Sequence, residues 1–136
     1  MPTIIIHNKI SELRKIVPFI ERFAREYILS EGDVFDLNLA VDEVCTNVIR
    51  HAEIKSEKSE IEIDLEYLDN WAVLIIKDKG KEFNPLEFEP YDINTDITDR
   101  PIGNLGILLL KSKMDEINYT REGSTNILTM KKKLEK

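Results

Sequence analysis

Ile61-Glu62-Ile63-Asp64-Leu65-Glu66-Tyr67 alternates apolar and polar-faced residues without a break. That period of two belongs to a strand with one face buried and the other in water. Just beyond it, after Asp69-Asn70, Trp71-Ala72-Val73-Leu74-Ile75-Ile76-Lys77 resumes as a second strand. Aspartate and asparagine tolerate the left-handed angles of a tight turn, so the two runs predict a hairpin. A one-sided sheet cannot stand alone in water. Its apolar face needs a cover, and the amphipathic helical patterns elsewhere in the chain supply one. The predicted fold class is α+β, a two-layer sandwich with all helices on one face of the sheet.

The remaining elements fit that plan. Thr3-Ile4-Ile5-Ile6-His7 reads as a short first strand. Lys9 to Tyr27 carries Ile10, Leu13, Ile16, Val17, Ile20, Phe23 and Ala24 at helical spacing, with Pro18 predicting a kink in mid-helix. Ser30-Glu31-Gly32-Asp33 breaks the chain, and Asp33 is the expected cap of the next helix. Ile117 to Thr120 and Thr125 to Lys131 predict a second hairpin around Glu122-Gly123, and Lys131-Lys132-Lys133 reads as a solvated tail. At 136 residues the chain is expected to be a single domain over 1–136 with no internal repeat. No apolar run approaches the roughly 20 residues that span a bilayer, and Met1-Pro2-Thr3 opens no signal-peptide pattern. Lone Cys45 cannot form an internal disulfide, which fits a reducing cytoplasm. Its place on the apolar flank of a helix points to packing rather than thiol chemistry. A net charge of −7 argues against a general nucleic-acid binder.

Three segments carry chemistry. In Asp42-Glu43-Val44-Cys45-Thr46-Asn47, a buried stripe of Leu37, Val41, Val44 and Val48 sets the helical phase. Glu43 and Asn47 then stand one turn apart beside the stripe, where their oxygens can converge. A hard cation such as Mg²⁺ takes oxygen ligands and completes its shell with waters and substrate phosphates. A solvated polar pair on an amphipathic helix is the plainer alternative. His51 lies nearer the apolar stripe and reads as structural. The Trp71 strand runs into Asp78-Lys79-Gly80-Lys81-Glu82-Phe83-Asn84-Pro85, where a carboxylate can accept from an adenine amino group and Gly80 permits a tight turn. Gly103-Asn104-Leu105-Gly106 opens an apolar helix, whose N-terminal N–H groups suit phosphates.

In order and spacing these motifs resemble those of the GHKL (Bergerat-fold) ATPases, and within them the stand-alone anti-sigma factor serine/threonine kinases of bacteria. Leu39 to Ala52 resembles the N box, and Asp78 to Pro85 the first glycine box in its Phe-Asp/Asn-Pro variant. Gly103 to Ile107 with Met114-Asp115-Glu116 resembles the second glycine box, and Gly123 to Leu128 the closing strand. The resemblance covers nearly the whole chain. It implies a mixed, mostly antiparallel sheet, and an ATP lid over about residues 84–103. It also implies site roles: Glu43 as general base, Asn47 as Mg²⁺ ligand, and Asp78 on the adenine amino group with Thr125 in support. Gly80 would shape the base pocket, while Gly103, Asn104, Leu105 and Gly106 cradle phosphates and Arg100 reaches the γ-phosphate. The cofactors implied are ATP and Mg²⁺. The partners implied are an anti-anti-sigma protein of the STAS type, which would be phosphorylated, and a sigma factor. A homodimer is one assembly the resemblance allows; membrane and direct nucleic-acid partners are not expected. Lys81 or Glu82 replaces a second glycine of the first box, and Asn104 replaces one of the second. An ATP-binding partner-switch module without kinase activity is therefore the alternative reading.

Overall fold

The computed structural model describes residues 2–50, 59–87 and 104–135. Strand β1 (Thr3–His7) leads through a 3-10 turn (Ile10–Lys15) into helix α1 (Ile16–Tyr27), and α2 (Glu31–Arg50) follows. Strands β2 (Glu60–Leu68) and β3 (Trp71–Asp78), a 3-10 turn (Pro85–Glu87), α3 (Asn104–Lys113), β4 (Glu116–Glu122) and β5 (Thr125–Lys133) complete the order. The five strands form one sheet in the order β1-β2-β3-β5-β4, and each neighbouring pair is antiparallel.

Alternation places the core. Ile61, Ile63 and Leu65 of β2, Leu74 and Ile76 of β3, and Leu128 and Met130 of β5 point to the same side and are buried. They meet Ile16, Ile20 and Phe23 of α1, Leu37, Val41 and Val44 of α2, and Leu110 of α3 in one continuous cluster. The helices thus cover one face, and α2 packs between α1 and α3. Leu68 pairs with Trp71, leaving Asp69 and Asn70 as a two-residue turn with φ of 49° and 66°. Both values lie in the left-handed region that matches the twist of a hairpin. The second hairpin turns at Gly123-Ser124, one residue later than the sequence predicts, with Gly123 at φ 59°.

Three local expectations are corrected. Pro18 does not kink a long helix. The chain runs as a 3-10 turn up to Lys15, and Pro18 falls in the first turn of α1. A first-turn N–H has no partner within its helix, so its absence there costs little. Asp33 is not the cap of α2. Ser30 takes that place, its Oγ accepting from the Asp33 N–H at 3.1 Å. The Asp33 carboxylate is instead buried and accepts from the Glu135 N–H at 2.9 Å. The three lysines are not a tail: they extend β5 alongside Trp71 to Val73. Lys132 is tucked in, 3.0 Å from Asp36 and 3.7 Å from Asp33.

Candidate functional site

β3 ends at Asp78, paired on one side with Ile61 and on the other with Asn126 of β5. The chain then leaves the sheet and bends at Gly80, whose N–H donates to Asp78 Oδ1 at 2.9 Å. A Cβ on Gly80 would lie 2.9 Å from that same oxygen, closer than real Cβ atoms come. A side chain at position 80 would have to displace the Asp78 carboxylate from this position. Farther along, Asn84 Oδ1 accepts from the Leu86 N–H at 2.9 Å and starts the 3-10 turn. That bond gives the Phe-Asn-Pro sequence a structural job, capping the turn that leads away from the site.

Between this loop, α2 and the β3–β5–β4 edge lies a cleft of about 500 Å³, part of it open to solvent. Val44, Val48, Ile76 and Leu128 form its apolar walls, and Phe83 and Pro85 close one side. Its polar lining includes Asp78, Asn126, Tyr119 and Asn47. An apolar cleft with a few convergent polar groups is the form a small-molecule site takes.

Asn47 is 3% exposed, and neither atom of its amide has a hydrogen-bond partner among the described residues. Leaving a buried amide unpaired costs roughly 1–3 kcal/mol, so such groups are rare without a purpose. Glu43, one turn earlier on α2, is half-buried. Burial pushes its carboxyl above the ordinary value, the negative charge of Asp42 adds to this, and Arg50 opposes it. The raised value makes Glu43 a better proton acceptor than an ordinary solvated carboxylate. Cys45 behaves as its position in the stripe suggests: it is fully buried, and burial holds its thiol far above the usual range, with Asp42 and Asp78 adding to the effect.

The structure thus brings Asn47, Asp78 and Gly80 to one cleft. Glu43 does not line the described part of it. Thr125 lies on the opposite, open face, in a groove that Asp78 also lines, with Glu62, Lys77 and Ile127. Its neighbour Asn126 turns inward in its place. Asn104, Leu105 and Gly106 form the first turn of α3. Arg100, Gly103, His51 and most of the expected lid fall outside the described residues.

Asn126, Tyr119 and Arg121 were not singled out by sequence. The Asn126 amide gathers five hydrogen bonds. Its Nδ2 donates to Asp78 Oδ1 at 3.1 Å and to the Lys81 carbonyl at 2.9 Å. Its Oδ1 accepts from the Phe83 N–H at 3.4 Å, from Arg121 at 3.0 Å and from the Tyr119 hydroxyl. One signal was available: Asn126 is the polar member of an inward row that continues with Leu128 and Met130. A polar residue on an apolar row needs partners, and its partners lie on segments far away in sequence.

The histidine kinase-like ATPase domain family matches this chain over residues 6–132. The chain belongs to that family. A histidine kinase-like ATPase domain is a nucleotide-binding unit. Among curated proteins, the chain is 32% identical over 102 residues to the serine-protein kinase RsbW of Bacillus mycoides, and 33% identical over 102 residues to that of Bacillus thuringiensis. Each match covers 71% of this chain and 63% of the relative, so the chain spans less than two thirds of those proteins. Among solved structures, the RsbU and RsbW domains of a Mycobacterium tuberculosis protein match with a TM-score of 0.65 at 14% identity, over 98% of this chain and 33% of that one. A histidine kinase domain of Erythrobacter litoralis matches with a TM-score of 0.54 at 16% identity, over 91% of this chain and 60% of that one. At such identities these two establish the fold. Among the described residues, no helix is long and apolar enough to cross a membrane.

Proposed function

We propose that this histidine kinase-like ATPase domain is an ATP-dependent protein serine/threonine kinase. The observation that carries the proposal is Asn47: a buried amide with no partner among the described residues, on the wall of the cleft that also holds Asp78. A ligand that brings its own cation gives that amide the partner it lacks. Mg²⁺ prefers oxygen donors and shares its shell between protein and phosphate, so Asn47 Oδ1 is a fitting ligand. When bound, Mg²⁺ would neutralise phosphate charge and help position the triphosphate.

The chain's own residues supply the rest. Asp78 accepts from the exocyclic amino group of adenine while Val44, Ile76 and Leu128 bury the faces of the base. The first-turn N–H groups of α3, at Asn104, Leu105 and Gly106, offer a positive dipole end to phosphate. At the reacting end, a serine or threonine oxygen bonds to the γ-phosphorus as the bond from that phosphorus to the ADP oxygen breaks. Glu43 takes the hydroxyl proton, and its raised proton affinity suits it to accept late in the step.

The phosphoacceptor is proposed to be an anti-anti-sigma protein of the STAS type, and the sequestered partner a sigma factor. The resemblance of the motifs and the likeness to serine-protein kinases named RsbW support both. The test is incubation with Mg-ATP and purified STAS-domain proteins, followed by mass spectrometry for phosphoserine or phosphothreonine. Transfer that depends on Glu43 supports the kinase. ATP binding and partner capture without any transfer would leave a binding module instead.

A further inference from the structure

We infer that Asn126 is a positioning residue that sets the pocket's preference for a base carrying an exocyclic amino group. It does so by holding Asp78 through a single oxygen. This rests on the nucleotide-binding reading above.

The amide can be oriented in one way only. Every group facing its nitrogen is an acceptor, and every group facing its oxygen is a donor. Turned over, it would set donors against donors on one side and acceptors against acceptors on the other. In the correct orientation Asp78 Oδ1 receives two N–H donors, from Gly80 at 2.9 Å and from Asn126 at 3.1 Å. That oxygen is fully engaged, and the carboxylate torsion is fixed between two anchors. Among the described residues no donor reaches Asp78 Oδ2. The oxygen left free is the one a ligand N–H can use.

The same side chain ties down the wall of the cleft. Lys81 and Phe83 line it, and both are held by their main chains to Asn126. Arg121 adds a bond from its guanidinium to the Gly80 carbonyl at 2.8 Å as well as to the Asn126 oxygen. A cation on the amide oxygen polarises the amide and strengthens what its N–H groups give to Asp78. With Asn126 only 5% exposed, water has little room to replace it. A carboxylate free to rotate would still accept a proton donor, but it would pay in ordering and lose its discrimination between bases.

The test compares affinity for Mg-ATP with that for the triphosphate of purine riboside, which lacks the amino group. The full chain is used, and calorimetry reads the ratio. Wild type is expected to favour ATP by about ten- to a hundred-fold, the worth of one bond to a charged acceptor. Asn126→Leu keeps the volume and removes the donor to Asp78 without setting a second carboxylate against it; its ratio should fall to within about threefold of unity. Asn126→Thr, which keeps a hydroxyl donor, should recover part of the ratio. Arg121→Met leaves Asn126 in place and should lower the ratio severalfold; it decides the matter if the Asn126 variants do not fold. Equal losses for both nucleotides, with the ratio kept, would make Asn126 a structural tie and overturn the inference alone. A wild-type chain that binds neither triphosphate overturns the nucleotide reading and this inference together.

Discussion

The two ends of the cleft are built to opposite rules. At the β3 end, Asp78, Gly80, Asn126, Tyr119 and Arg121 share a hydrogen-bonded network, with one Asp78 oxygen left over among the described residues. At the α2 end, Asn47 is buried with neither amide atom partnered among the described residues, and Glu43 is half-buried beside the like charge of Asp42. One end is complete before any ligand arrives. At the other, the Asn47 amide has no partner among the described residues, and such a buried unpaired amide carries a cost that a ligand can offset. A rigid end suits recognition of a flat base, whose shape never changes. An unsatisfied end suits the site of reaction, where groups are needed by the transition state rather than by the resting protein.

The largest effect should come from removing Glu43. Glu43→Gln keeps the size of the side chain and takes away the proton acceptor. Phosphoryl transfer should fall by about 10²- to 10⁴-fold, the usual contribution of a positioned base. Mg-ATP affinity should change little, because the base acts chiefly in the transition state. Single-turnover transfer and calorimetry on the same preparation check both halves. If binding falls as far as transfer does, Glu43 belongs to the binding end and the contrast between the two ends is lost.

Asp78→Asn comes next and strikes the complete end. It replaces a charged acceptor by an amide that must also face the Asn126 Nδ2 and the Gly80 N–H. ATP affinity should drop by about ten- to a hundred-fold, with the circular dichroism spectrum unchanged. Undiminished affinity in a folded variant would remove Asp78 from the base site.

These roles were not equally legible in the sequence. The strands of the first hairpin follow from alternation over Ile61 to Tyr67 and from Asp69-Asn70, because period and turn chemistry are local properties. The burial of Val44 and Cys45 beside Asn47 follows from helical phase. Asn126 could not be found that way. Its role depends on the cross-strand register that sets it against Asp78, and register is fixed by the Gly123-Ser124 turn and by packing, not by its neighbours in sequence. Thr125 and Asn126 are adjacent in β5, and adjacent residues in a strand face opposite sides of the sheet. Asp33 and Lys132 were misread for the same reason. A capping residue and a solvated lysine are sound local readings, but the return of β5 to α2 buries both groups against each other. Pro18 failed differently: its position within a helix matters more than its presence, and the boundary at Lys15 was not readable from the apolar spacing.

A third and smaller effect separates the ends by stability rather than activity. Asn47→Leu fills similar space with an apolar group and removes an unpaired buried amide. Without nucleotide, the variant should be more stable than wild type by about 1 kcal/mol, or about 3–5 °C in Tm. It should also lose the part of ATP affinity that depends on Mg²⁺. A variant that is destabilised without ligand would mean that Asn47 has partners in the resting protein, and the α2 end would no longer count as unsatisfied.

The smallest effect is a pH signature, and it sets Glu43 against a carboxylate that has every partner it needs. Glu12 sits within 3.0 Å of Lys15 and 2.9 Å of His7, and these hydrogen bonds hold its carboxyl down to about 2. Its folded form binds a proton less readily than its unfolded form. Its contribution is therefore present above the ordinary value of 4.5 and is lost as pH falls toward 2. Glu43 has the opposite sign. Burial raises its carboxyl, so the folded form holds its proton longer than the unfolded form. Its contribution is intact below the ordinary value and is lost as pH rises through the raised one. Urea unfolding between pH 3 and pH 7, in the absence of nucleotide, should resolve the two. Glu12→Gln should flatten the rise in stability on the acid side. Glu43→Gln should gain on wild type as pH climbs past the raised value, and the gain should vanish in acid. If Glu43→Gln showed the same offset from wild type at every pH, the carboxylate would be ordinary in the resting protein, and the contrast with Glu12 would go with it.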